Sequence, residues 1–227
     1  MIGKRVEIEA ALETAAGVYD AFRRAAKPGA SELDLDLAVR RAAGAHPVGY
    51  DLLSGPRTAG VEGAATERIL QAGDVLLLDL CLKHGAHWCD VCRTYFLGEP
   101  DPAQKDAYAS VLGCFELVAG LLKAGVCAGT LYKQAEDYFS AREMAGWMRH
   151  HTGHGIGLTP FEAPVEVSDS KDILRAGDVV TVEIGVYLRD EFGIRVEDDF
   201  FVSEDGAVNL WAYPKTAKDA VISLVQE

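Results

Sequence analysis

Two stretches of this chain are near-copies of each other. LQAGDVLLLD, residues 70–79, aligns with LRAGDVVTVE, residues 174–183, at a constant offset of 104 residues. Each enters on Ala-Gly-Asp-Val, runs through an apolar block and ends on an acid, Asp79 or Glu183. Each is then followed by a turn and a returning segment with a second acid: Asp90 in HWCDVCRTYFLG, Glu197 in GIRVEDDFFV. The apolar blocks are too short to cross a membrane and open on Gly-Asp, so each unit reads as a buried strand, a turn and a returning strand. Ala-Gly-Asp-Val is a common strand entry, and chance explains that much. It does not explain acids recurring in both arms of both hairpins. A repeat on this scale fixes the architecture before any local reading does. Two hairpins facing each other across a pseudo-twofold axis bring four carboxylates to one centre. Buried carboxylates are costly unless paired or bound to a metal, so that centre calls for a cation.

The flanking sequence repeats too. Ile8, Leu12, Ala15, Val18, Tyr19 and Phe22 fall on one stripe of a helix spanning about 6–26, closed by Lys27-Pro28-Gly29. Ser31 caps a second helix that runs to about residue 45. His46-Pro47 breaks it, a short strand is expected over 51–54, and Gly55-Pro56-Arg57-Thr58 reads as a loop. In the second half, Asp101-Pro102 opens a helix over about 103–122 and another spans about 130–145. No linker or low-complexity segment intervenes. The expectation is a single α+β domain over 1–227, made of two α-α-β-hairpin halves.

Composition narrows the function. The 227 residues carry a formal charge of −13, which argues against a nucleic-acid partner or an anionic membrane surface. Apolar residues make up 49% of the chain, ample for a core. The five cysteines have no framework spacing and suggest reduced thiols in a cytoplasm. Cys89-Asp90-Val91-Cys92 has the form of a redox pair but lies within a strand, not at a strand-to-helix turn.

Between the second pair of helices and the second hairpin lies Gly153-His154-Gly155-Ile156-Gly157. It is neither a dinucleotide fingerprint nor a P-loop. A histidine between glycines suits close packing around a ligand, and it supplies the nitrogen that a carboxylate site often includes. Taken together, Leu78-Asp79-Leu80, Asp90-Val91-Cys92-Arg93-Thr94, Thr152-Gly153-His154-Gly155-Ile156-Gly157-Leu158, Thr181-Val182-Glu183-Ile184-Gly185 and Ile194-Arg195-Val196-Glu197-Asp198 resemble the motifs of the M24 metallopeptidases. These are the methionine aminopeptidases, Xaa-Pro aminopeptidases and prolidases of the pita-bread fold. The separations of 11 residues (79 to 90), 29 (154 to 183) and 14 (183 to 197) look more like the Xaa-Pro branch. The resemblance covers essentially the whole chain. It implies two divalent metal ions (Mn2+, Co2+, Fe2+ or Zn2+) held by Asp79, Asp90, His154, Glu183 and Glu197. Asp90 and Glu197 would bridge, Asp79 would sit on one metal, and His154 and Glu183 on the other. It also implies Glu183 as the catalytic proton carrier for a dinuclear metal-activated water.

Two departures from the family pattern bear on substrate handling. Phe161 stands where a histidine of a His-Glu pair is usual, and Glu62 stands where another histidine follows Ser-Gly-Pro. His87, where a tyrosine is usual, is expected in the cleft wall, so Glu62, Phe161 and His87 form the expected substrate-binding set. His150 and His151 read equally as cleft lining or as a surface pair. Arg195 alternates with Glu197 on one strand face and is expected to steady that ligand, while Trp211 and Tyr213 read as core or as homodimer packing. Two functions follow: a hydrolase of Xaa-Pro aminopeptidase or dipeptidase type acting on a small peptide or other small molecule, or a metal-binding homologue without peptidase activity.

Overall fold

The computed structural model describes residues 2–224. Helices α1 (Ile2–Ala25) and α2 (Glu32–Ala43) precede strand β1 (Val48–Ser54) and the first hairpin, β2 (Val75–His84) with β3 (His87–Leu97). Helices α3 (Pro102–Ala119) and α4 (Ala128–Ser140) then precede β4 (His154–Gly155), β5 (Glu162–Val165) and the second hairpin, β6 (Val179–Leu188) with β7 (Phe192–Val202). Short strands β8 (Ala207–Asn209) and β9 (Val221–Ile222) close the chain. Among the described residues all nine strands join one sheet in the order β1-β2-β3-β7-β6-β4-β5, with β8 on β7 and β9 on β3. The two hairpins therefore meet at the β3–β7 seam, as the repeat requires.

The helices cover one face. Leu78, Leu80, Leu82 and Val91 pack with Ile8, Leu12, Tyr19, Leu35 and Val39 of α1 and α2. Val182, Ile184, Val186 and Val196 pack with Val111, Phe115, Leu131 and Phe139 of α3 and α4. The other face carries the acids. Tyr19 fixes α1 against the first hairpin: its hydroxyl lies 2.8 Å from Leu78 O and 2.7 Å from Val91 O, carbonyls adjoining Asp79 and Asp90. Arg93 and Asp198 tie the halves together behind the seam through a fully buried ion pair at 2.7 Å. Arg93 also donates to the carbonyls of Tyr213 and Pro214 and lies 4.2 Å from the Trp211 ring. Trp211 is thus core, stacked on Tyr213 and buried, which removes it from any homodimer surface.

Element boundaries shift for physical reasons. The caps are where the sequence puts them: Ser31 and Asp34, then Asp101 and Gln104, exchange both bonds of a capping box. The third helix stops at Ala119 although the apolar spacing runs on, because Leu122 is buried from the turn beyond the helix. The fourth likewise stops at Ser140; Glu143 takes a left-handed φ of 60° and Met144 packs inward from the turn. The expected short strand starts earlier, at Val48, because β2 is long enough to pair with seven residues of it. The expected loop at 55–58 is a 3-10 helix, Gly55–Gly60. Among the described residues no helix is long and apolar enough to cross a membrane.

Candidate metal centre

Strand register builds the site. One row runs straight across the sheet: Asp51 opposite Asp79, Asp79 opposite Cys92, Cys92 opposite Glu197, and Glu197 opposite Glu183. Cross-strand partners share a face, so all five project to the side the helices leave open. Asp90 lies two residues along β3 from Cys92 and faces the same way. Its N–H donates to Asp199 Oδ2 at 3.2 Å, which brings a further buried acid to that face. Strand β4 adds His154, whose N–H donates to Thr181 Oγ1 at 3.2 Å. Gly153 makes this approach feasible, since a Cβ there would collide with Thr181 O.

The five residues expected as metal ligands form two overlapping groups. Asp90, His154 and Glu197 each place a donor atom within 4.8 Å of the other two, and so do Asp79, Glu183 and Glu197. His154 Nε2 lies 3.6 Å from Asp90 Oδ2 and 3.9 Å from Glu197 Oε1. Its Nδ1 is 3.0 Å from Gly155 O. A carbonyl only accepts, so Nδ1 carries the proton and Nε2 presents a lone pair to the acids, as in ligating histidines. Glu183 lies within reach of Asp79 and Glu197, and its charge also acts on His154.

Charge in this cluster is poorly balanced by the chain itself. Arg195 is buried among the acids, its Nε 3.1 Å from Asp79 Oδ2 and its Nη1 3.2 Å from Glu183 Oε1. It thus steadies Asp79 and Glu183, where the sequence suggested Glu197. Asp90 Oδ1 and Glu197 Oε1 are buried without a hydrogen-bond partner. Burial, with the charge of Asp79 on Asp90 and of Asp90 on Glu197, pushes both carboxyls well above the usual range. Burial raises Asp79 to about 7 against the pull of Arg195. Burial also pushes Glu183 up, but His150, His151 and Arg195 outweigh it and hold the carboxyl at about 2. Burial keeps His154 neutral, the form that ligates. Orphaned carboxylate oxygens converging with an imidazole lone pair fit a divalent first-row cation.

The substrate-side residues fare differently. Phe161 is in the cleft, its ring 4.5 Å from that of His154 and 5.4 Å from that of His151. Glu62 is exposed and lines a cavity of about 410 Å³ with Leu53, Arg57 and Arg149. His87 is a correction. Its Nδ1 pairs with Glu7 Oε2 of α1 at 2.8 Å, so it belongs to the helix-covered side and not to the cleft wall. Strand alternation explains this: His87 is three residues from Asp90 and so takes the opposite face. His150 and His151 are cleft residues, not a surface pair, with Nδ1 atoms 3.4 Å and 3.1 Å from Glu183. Sequence reasoning missed Tyr187, whose hydroxyl is 2.8 Å from His150 Nε2, and Glu166, which is buried and accepts from Thr152 Oγ1 at 2.9 Å. Tyr187 shares the strand parity of Glu183, a usable signal; Glu166 gave none.

Residues 6–204 match metallopeptidase family M24. The chain belongs to that family. It is 31% identical over 224 residues to a Bacillus subtilis (strain 168) protein named as an uncharacterized peptidase, YqhT, covering 95% of this chain and 63% of that one. Dipeptidase PepE from Mycobacterium ulcerans superposes with a TM-score of 0.93 at 26% identity, over 98% of this chain and 61% of that one. The X-Pro aminopeptidase from Thermotoga maritima gives 0.89 at 28%, over 95% and 62%. These matches establish the pita-bread fold for the M24 domain. In each case the chain spans less than two thirds of the length of the relative it matches.

Proposed function

We propose that this domain is a metal-dependent peptidase acting on short peptides, of the Xaa-Pro dipeptidase or aminopeptidase type, with two divalent cations. The observation that carries the reading is the pair of largely buried donor groups sharing Glu197. One group, Asp90, His154 and Glu197, would hold one cation; the other, Asp79, Glu183 and Glu197, would hold the second. When bound, such cations supply Lewis-acid chemistry: they polarise a carbonyl and acidify water. The chain does the rest. Glu183 stays ionised and accepts a proton at its carboxylate, while Arg195 keeps it and Asp79 aimed at one point. Phe161, 51% exposed, gives the cleft an apolar wall for a hydrophobic side chain. Glu62 offers a carboxylate to a substrate amine. Five unpaired thiols suit a reducing, cytoplasmic setting.

A specific observation favours a second reading, a metal-binding homologue without peptidase activity. Neither Phe161 nor Glu62 supplies the hydrogen-bond donor of the histidine it replaces. One assay separates the two: protein supplied with Mn2+ or Co2+ and offered Xaa-Pro and Met-Xaa peptides, with and without chelator. Chelator-sensitive cleavage supports the peptidase; filled metal sites without cleavage of any peptide support the alternative. The centre itself is tested by Asp90→Ala, which removes a ligand of the first group and should lower metal content. Unchanged metal by elemental analysis would remove the assignment.

A further inference from the structure

Beside the carboxylate cluster are two histidines that the two-cation reading leaves unused. The Nδ1 atoms of His150 and His151 lie near opposite oxygens of Glu183, 3.4 Å from Oε1 and 3.1 Å from Oε2. All three residues place one donor atom within 4.8 Å of the others. His151 Nδ1 is buried and makes no hydrogen bond despite its closeness to Glu183. We propose that His150, His151 and Glu183 form a third cation seat, selective for a late first-row ion such as Zn2+ over Mn2+. It goes beyond the hydrolytic reading and depends on it only through Glu183, which both would share.

The geometry suits coordination. Ligands bound at about 2.0 Å in a tetrahedral site lie about 3.3 Å apart, close to the two nitrogen–oxygen distances, each to a different oxygen of Glu183. His150 has the outer partner that a ligating histidine needs, since the Tyr187 oxygen, 2.8 Å from Nε2, can accept its N–H. Here His150 Nδ1 instead donates to His151 O at 2.6 Å. Binding would move the single imidazole proton from Nδ1 to Nε2, a change of tautomer with no net proton release. The His151 ring is held edge-on between His154, at 5.1 Å and 85°, and Phe161, at 5.4 Å and 64°. Its side chain is still 23% exposed, so an ion and a water in the fourth position have access.

Chemistry sets the preference. The carboxylate cluster is rich in oxygen, whereas this seat offers two imidazoles and one carboxylate. Imidazole sites follow the affinity order in which Mn2+ stands lowest and Zn2+ well above it. Filling the seat would engage Glu183, the proton acceptor of the proposed reaction, so Zn2+ beyond two equivalents should suppress turnover.

The test is a metal count. Wild type, His151→Phe and His151→Ala are dialysed to equilibrium against Zn2+ or Mn2+, and bound metal per chain is measured by elemental analysis. Phe keeps a ring against Phe161 and His154; Ala covers the case in which that ring misfolds. Wild type is expected to hold one Zn2+ more than Mn2+, and both variants to lose that difference with Mn2+ content unchanged. Equal Zn2+ and Mn2+ in wild type, or a difference that survives in both variants, would overturn the seat. So would loss of Mn2+ in both variants, which would merge His151 with the main centre. The Mn2+ count of wild type judges the two-cation centre separately.

Discussion

The ring of Phe161 covers His154 at 4.5 Å and is half exposed, so a substrate reaching that edge of the centre meets hydrocarbon. A phenyl ring cannot donate a hydrogen bond to an oxygen that gains charge during hydrolysis. One such donor is worth about a hundred- to a thousand-fold in rate. Weak or absent cleavage of standard Xaa-Pro dipeptides is therefore expected even with metal bound. The double change Glu62→His and Phe161→His should raise the rate by about a hundredfold if the rest of the cleft is competent. Wild-type rates typical of the relatives would show the donors to be dispensable, and no gain in the metal-loaded double variant would favour the non-peptidase reading. At this scale the acids were legible because each ends or returns from an apolar strand, where a carboxylate needs a reason. His87 was misplaced because its type was weighed without its strand parity. His150 and His151 were undecided because loop residues carry no periodicity from which a face can be read.

The segment bearing His154 is held by its neighbour, the strand that begins at Glu162. Thr152 N–H donates to Glu166 O at 3.1 Å, Glu166 N–H to Gly153 O at 2.9 Å, and Thr152 Oγ1 to the Glu166 carboxyl at 2.9 Å. That carboxyl is fully buried, and burial raises it from 4.5 to about 8, with the charge of Glu183 adding to the shift. The sign follows directly. Between these values the folded chain keeps a proton that the unfolded chain has released, so stability from this group is full below about 4.5 and falls as pH rises to about 8. The slope is about 1.4 kcal/mol per pH unit. Glu166→Gln, which stays neutral, should lose that part of the pH dependence. Denaturant unfolding of both proteins at pH 5 and pH 8 measures it, and parallel losses in the two would count against a protonated Glu166. Nothing in the sequence marked Glu166, since its burial comes from a pairing between two irregular segments. Helix starts were legible because capping is local chemistry, whereas the ends at Ala119 and Ser140 were not, because Leu122 and Met144 continue the apolar pattern from turns.

Across the whole molecule the two halves meet along one seam, with opposite electrostatics on its two sides. Behind it, Arg93 of the first hairpin pairs with Asp198 of the second, and Lys215 and Asn209 reach the same carboxylate at 2.7 Å and 2.6 Å. In front of it, Asp79 and Asp90 of the first hairpin face Glu183 and Glu197 of the second, with Arg195 as their buried cationic partner. The repeat made this seam legible from sequence alone, because only a meeting of the hairpins accounts for acids in both. A cation held there would bridge the halves and remove the repulsion between them. It would bind the folded chain far better than the unfolded one, because the ligands come from segments more than 100 residues apart. At a hundred times its Kd, such a cation stabilises by about 2.7 kcal/mol. For a chain of this size that corresponds to a rise in Tm of roughly 5–10 °C. Thermal unfolding with Mn2+ should therefore show one transition, higher than with chelator. Asp90→Asn should lose most of that gain while keeping the single transition, since the bonds behind the seam are intact. A wild-type Tm indifferent to Mn2+, or an equal gain in Asp90→Asn, would mean that the carboxylates in front of the seam do not hold a metal.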